Sequence, residues 1–266
     1  MIIEASGASS NGIESGYLSD KAELQIYADN IDITSGANGM YTVLGDGGKG
    51  GNIILGSEDR KIQGLTIESG GQGIDNKNGS VYVYGDEDSV ISINANNAER
   101  LTDENENNQA AIANECNGEI FIKGDIISLK TNTSYKEDFY GNPTDPVFGD
   151  GIRNVSNGTA TLNANQVTMD VTGSGVYNTS GQTTLNSNYV NIAAKGDYGI
   201  YNIYGEVSFN TNGNNIIMAQ GQVGVFNHGS GKINVIASEN ADAKGFDGNL
   251  GNSNYSNEII RQCRRC

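Results

Sequence analysis

Few residues of this chain combine the type and spacing that chemistry needs. Cys263-Arg-Arg-Cys266 has the two-residue gap of a redox pair or of half a zinc site, but no second such pair and no strand-to-helix context accompany it. With Cys116 the cysteines number three, an odd count that cannot form a complete disulfide framework. His228 is the single histidine; it stands beside a Gly-Ser-Gly corner and reads as a surface residue. No Ser-His-Asp order, paired-histidine zinc motif or nucleophile elbow occurs. The Gly-rich run from Leu44 to Asn52 lacks the Lys-Ser/Thr and the following helix of a phosphate cradle, and it is one imperfect copy of a calcium-binding nonapeptide. Paired carboxylates could cleave glycosidic bonds. Here the acids gather in loops rather than at matching strand positions. The expectation is a protein with no catalytic residue, no metal and no cofactor.

The elements that would position any site are signalled by composition and period. Of 266 residues 36% are hydrophobic and 7% aromatic, thin for one large compact core, while 37 Gly against two Pro favour many short strands joined by tight corners. Sixteen basic against 32 acidic residues give a net charge of −16, which repels phosphate backbones and anionic lipid. Nucleic acid is therefore not expected as a partner. No apolar stretch reaches the length of a membrane helix, so no membrane insertion by this segment is expected. The start, Met-Ile-Ile-Glu-Ala, lacks the basic and apolar regions of a signal peptide, and the end turns abruptly basic and Cys-rich. Both ends read as those of a fragment.

The strongest signal is a repeat of Gly, an aliphatic, any residue, then Asn. Clear copies begin at Gly151, Gly175, Gly199 and Gly224, spaced by 24, 24 and 25 residues. Looser copies begin at Gly12, Gly39, Gly73 and Ala111. Within one unit Val176 and Asn178 share a face of a first strand, Thr183 and Leu185 of a second, and Val190 and Ile192 of a third. Three strands and three corners make one turn of a coil. The fold class expected is all-β: a single-stranded parallel β-helix of about eight coils over residues 1–250, with an irregular tail at 251–266. At about 4.8 Å per coil the rod is on the order of 38 Å long. Unpaired backbone at its ends would allow self-association. The recurring amides Asn76, Asn114, Asn154, Asn178, Asn202 and Asn227 are expected to turn inward at a corner and form a hydrogen-bonded ladder.

Spacing grows in the middle of the chain, so extra residues must leave the coil there. One insert runs from Asn97 to Gln109 and another from Thr131 to Asp150; both precede a coil start and should emerge from the same corner as one lateral lobe. The second holds Tyr135, Phe139 and Tyr140 with the acids Glu137, Asp138, Asp145 and Asp150. The residue between the aliphatic and the Asn points outward, and it is aromatic at Tyr41, Tyr177, Tyr201 and Phe226. Such a column either stabilises the rod or meets a partner. The candidate binding residues are thus Tyr135, Phe139, Tyr140, Tyr177, Tyr201 and Phe226.

The Gly-Ile/Val-x-Asn copies, the second-strand triplets Thr161-Leu162-Asn163, Thr184-Leu185-Asn186 and Ser208-Phe209-Asn210, and the Asn/Gly/Thr richness resemble passenger regions of bacterial autotransporter adhesins over Gly12 to Ala237. The resemblance implies display at the cell surface, on the outer membrane or in secreted form, and adhesion to a protein or glycan of a host or neighbouring cell. The membrane barrel of the complete family pattern is not among these residues. Two other functions remain open at this point: a β-helix polysaccharide lyase or hydrolase, and a structural stalk that binds nothing.

Overall fold

The computed structural model describes residues 1–16, 22–44, 48, 50–96, 109–132, 134–137, 143–196, 198–211, 216–221, 223–237 and 259–261. Every regular element among them is a strand. With one exception the strands pair in parallel, each with the equivalent strand of the coils before and after it. The chain winds as a three-sided parallel β-helix.

Each coil starts on a third face, where Ile13–Gly16, Met40–Val43, Ile74–Lys77, Gln109–Glu115, Gly149–Asn154, Val176–Asn178, Tyr198–Asn202 and Val223–Asn227 stack in sequence order. It then turns onto a first face and from there onto a second. In Ser80–Ala95, Thr159–Val171 and Gln182–Ala194 the strand runs unbroken from first face to second. On the first face Val81 pairs with Ile53 and Ile120, and Leu162 with Ile122 and Leu185. On the second, Ile31, Leu65, Ile91, Ile127, Val167 and Val190 form one continuous column.

Alternation explains these strands. In Asn30–Ser35 exposed and buried residues strictly alternate, with Ile31 and Ile33 inward, and β-branched residues suit a pleated half-buried surface. All six residues named for the unit at Gly175, from Val176 to Ile192, are buried. Each buried aliphatic contributes about 1.5–3 kcal/mol by leaving water. One coil has too few of them to stand alone, so each depends on its stacked neighbours.

A buried amide column closes the corner between third and first faces. Asn76 donates through Nδ2 to Asn114 Oδ1 at 2.8 Å, and Asn114 donates to Asn154 at 3.0 Å. Asn178 donates to Asn202 and Asn202 to Asn227, each at 2.8 Å. Between Asn154 and Asn178 the Thr183 hydroxyl mediates: Asn154 donates to it at 3.3 Å and it donates to Asn178 at 3.4 Å. Each Asn also donates to a glycine carbonyl three or four residues on, as Asn202 does to Gly205 at 3.0 Å. A Cβ on Gly205 would lie 2.2 Å from Asn178 Nδ2, so only glycine lets that amide approach. The column begins at Thr42, whose hydroxyl donates to Asn76 at 2.6 Å.

Candidate binding surfaces

Register on the third face brings Tyr177, Tyr201 and Phe226 into one outward column. Tyr177 and Tyr201 stack with centroids 4.9 Å apart and planes 12° apart; Tyr201 and Phe226 stack at 5.2 Å and 6°. Tyr198 tilts against both Tyr201 and Phe226, at 4.8 and 5.2 Å. The Arg153 guanidinium lies 4.3 Å above the Tyr177 ring, on the coil before, and the His228 ring lies 6.0 Å from Phe226. The flat faces of Tyr177 and Tyr201 therefore meet neighbours, leaving ring edges and two phenol hydroxyls outward. Burial, then Tyr177 and Tyr198, raise the Tyr201 pKa above its ordinary 10.0.

Toward the N-terminus the same column changes character to Glu14, Tyr41, Asp75, Ala113 and Arg153. Lys77 Nζ bridges Asp75 at 3.4 Å and Glu115 at 2.5 Å. Burial opposes the Lys77 charge, yet the two carboxylates hold its pKa above the ordinary value. Asp150 was expected in the lateral lobe; it lies instead within the coil strand Gly149–Asn154 and is buried. Its Oδ1 accepts the Ser174 N–H at 2.7 Å and its Oδ2 the Arg153 guanidinium at 3.3 Å. Burial nonetheless pushes its pKa up from 3.8 to about 6, with Arg153 and the Ser174 N–H pulling the other way.

Both inserts leave the corner between second and third faces. The second forms an antiparallel hairpin, Ser134–Glu137 against Pro143–Val147, the exception to parallel pairing. At its root Thr131 Oγ1 donates to Gly149 O at 2.7 Å, and Asn132 donates to Asn96 at 2.6 Å, linking the roots of the two inserts. Thr131 is buried and continues its coil strand, so the insert is shorter than the sequence implies at both ends. Tyr135 lies on the hairpin opposite Pro146, with its side chain outside the described residues, as are Phe139, Tyr140, residues 97–108, Cys263 and Cys266. Cys116 is exposed at a corner with φ of 56°. The short strand Ile259–Arg261 pairs with Ile233–Val235 inside the segment expected to be irregular.

A second aromatic group, on the first face, escaped the sequence reading. Tyr82 and Tyr84 stand two residues apart with ring centroids separated by 6.3 Å; Phe121, paired with Tyr82 across the strands, tilts 46° to Tyr84 at 5.6 Å. Beside them Asn52, Asn78, Ser80, Asn117 and Glu119 line a polar cleft of about 310 Å³. The Tyr82 hydroxyl donates to Glu119 at 2.7 Å; burial, then that bond, raises its pKa. Only the register across the Asn97 insert brings these residues together. Among the described residues no three His, Cys, Asp or Glu side chains stand together as metal ligands. Compared with protein-family models, with curated proteins and with solved structures, the chain matches none.

Proposed function

We propose that this β-helix is an adhesive segment displayed at the cell surface or secreted. It holds a protein or glycan of a host or neighbouring cell through its lateral lobe and the aromatic third face. One observation carries the reading. Thr131 and Gly149 are already joined by a hydrogen bond at the root of the hairpin, so the coil closes without the residues between. Ordering a hairpin costs about 1–2 kcal/mol per residue in backbone entropy, and a role outside folding accounts for it. Side loops on solenoids commonly carry binding. The lobe leads directly onto the face that bears Arg153, Tyr177, Tyr201 and Phe226. The buried carboxylates of that face are engaged by cations, Asp75 with Lys77 and Asp150 with Arg153, which suits a binding surface better than a hydrolytic pair.

The test replaces residues 133–147 with a short Gly-Ser link while keeping Thr131, Asn132, Gly149 and Asp150. The β-type circular dichroism should persist, and adhesion of coated beads to epithelial cells and to bacteria should fall. A variant that folds and adheres like the parent defeats the lobe reading and favours a structural stalk. Release of reducing ends from a polysaccharide by the parent would favour the lyase or hydrolase.

A further inference from the structure

We infer that the first face carries a separate binding site for a neutral glycan, built from Tyr82, Tyr84 and Phe121 as a stacking platform and from the adjoining polar cleft as a hydroxyl-binding rim. A sugar ring has an apolar flank of C–H groups and a rim of hydroxyls that both donate and accept. Its receptor needs aromatic area beside side chains able to do the same. The site presents both within one span. Tyr82 follows Ser80 by two residues on one strand, and Phe121 follows Glu119 by two on the next, so the backbone at each of these rings lies about 6.6 Å from that of a cleft residue on the same outward face.

Ring geometry separates this group from the third-face column. Tyr82 and Tyr84 lie 6.3 Å apart with planes 17° apart, and Tyr84 and Phe121 5.6 Å apart, against 4.9 and 5.2 Å within the column. The wider spacing leaves ring area unclaimed by neighbouring rings. On the rim, Asn52 and Asn117 supply amides and Ser80 a hydroxyl; Asn78 shapes the rim by donating to Gly48 O and accepting the Asn117 N–H, and Glu119 and Tyr82 are joined at 2.7 Å in a pair that orients both. Amide and carboxylate groups match the adjacent hydroxyls of a sugar. A volume of about 310 Å³ is at the small end of ligand sites and takes about one or two sugar units.

Charge selects the class of glycan. Among the described residues no Lys or Arg lines the cleft and Glu119 does; Lys123, which pairs with Tyr84 across the strands, is engaged by Glu58 at 3.5 Å, and the protein as a whole carries −16, so sulfated or uronic-acid polymers are repelled. The site lies on a different face from the lobe and column, so it stands or falls independently of the adhesive reading.

The test is binding of the purified chain to immobilised neutral oligosaccharides of glucose, galactose, mannose and N-acetylhexosamines, with heparin as the anionic comparison. At least one neutral probe should bind, and heparin should not. For that probe Tyr82→Ala and Phe121→Ala should each weaken binding about tenfold or more, as expected for loss of one stacked ring. Tyr82→Phe keeps the ring and should stay within a few-fold of the parent. Tyr189→Ala, on the second face and outside the lobe and the third-face column, should leave binding unchanged, and circular dichroism reports whether each variant folds. Failure of every neutral probe, preference for heparin, or equal loss in Tyr189→Ala and Tyr82→Ala overturns the site. Bead adhesion that survives Tyr82→Ala but falls on lobe replacement leaves the two readings distinguishable.

Discussion

Two aromatic groups sit on this rod, and they arrange the same kinds of side chain in different ways. On the third face Tyr177, Tyr201 and Phe226 occupy one register position on successive coils, so the strand spacing sets their rings at stacking distance. Arg153 covers the lower end of that stack and Tyr198 leans on its flank. On the first face Tyr82 and Tyr84 alternate along one strand and Phe121 pairs with Tyr82 on the next coil while its ring tilts against Tyr84; with Ile54 and Thr161 at the flanking register positions, the cluster spans only two coils. The difference teaches that aromatics repeated over three successive coils spend their ring faces on one another and present mainly edges and hydroxyls, whereas a cluster confined to two coils keeps ring faces open to a ligand.

The contrast rests first on which side of the strand faces inward. Ile200→Asp buries a charge in the core and should cost more than about 4 kcal/mol, unfolding neighbouring coils, because an unpaired ion in that environment has no compensation. Tyr201→Asp, one residue on, should cost far less. Equal losses in chemical denaturation would refute the assignment of faces.

The lower end of the column sharpens it next, through pH. The Asp150 that holds Arg153 has a folded-state pKa raised from 3.8 to about 6, so its contribution to stability is fully present below pH 4 and is lost as pH rises through 6. Relative to Asp150→Asn, the parent should lose on the order of 2 kcal/mol between pH 4 and pH 7 in denaturant titrations. A difference that is flat or rises with pH overturns this account of the pair.

The smallest effect separates the groups most directly. Tyr201→Ala removes two stacking partners and should destabilise by about 1–2 kcal/mol. Tyr82→Ala removes one distant ring contact and one exposed hydrogen bond, and should stay within about 0.5 kcal/mol. Reversed magnitudes in paired melts would mean that the first-face rings are the structural ones.

Period made much of this legible. A 24-residue repeat whose Ile, Val and Asn recur at fixed offsets defines which residues turn inward, and the outward column at Tyr177, Tyr201 and Phe226 follows from the same count. What stayed hidden lies where the period breaks. Tyr82 and Phe121 are 39 residues apart because an insert lies between them, so only hydrogen-bond register makes them neighbours. Asp150 looked like one more loop acid because composition cannot mark where an insert rejoins its coil. Its burial comes from its place in the strand Gly149–Asn154 and from Arg153, three residues on.

The unbroken register of Ile152 with Val176 and of Val176 with Ile200 has a consequence for inheritance. Residues 152–175 and 176–199 are interchangeable turns: excising either joins an equivalent residue to its equivalent on all three faces. A misaligned exchange between gene copies at these repeats therefore lengthens or shortens the product by whole turns and leaves each junction sound. A deletion of half that size would swap one face for another and bring the chain into frame with nothing. Variation in the length of such a rod is thus quantised, and its currency is the 24-residue turn.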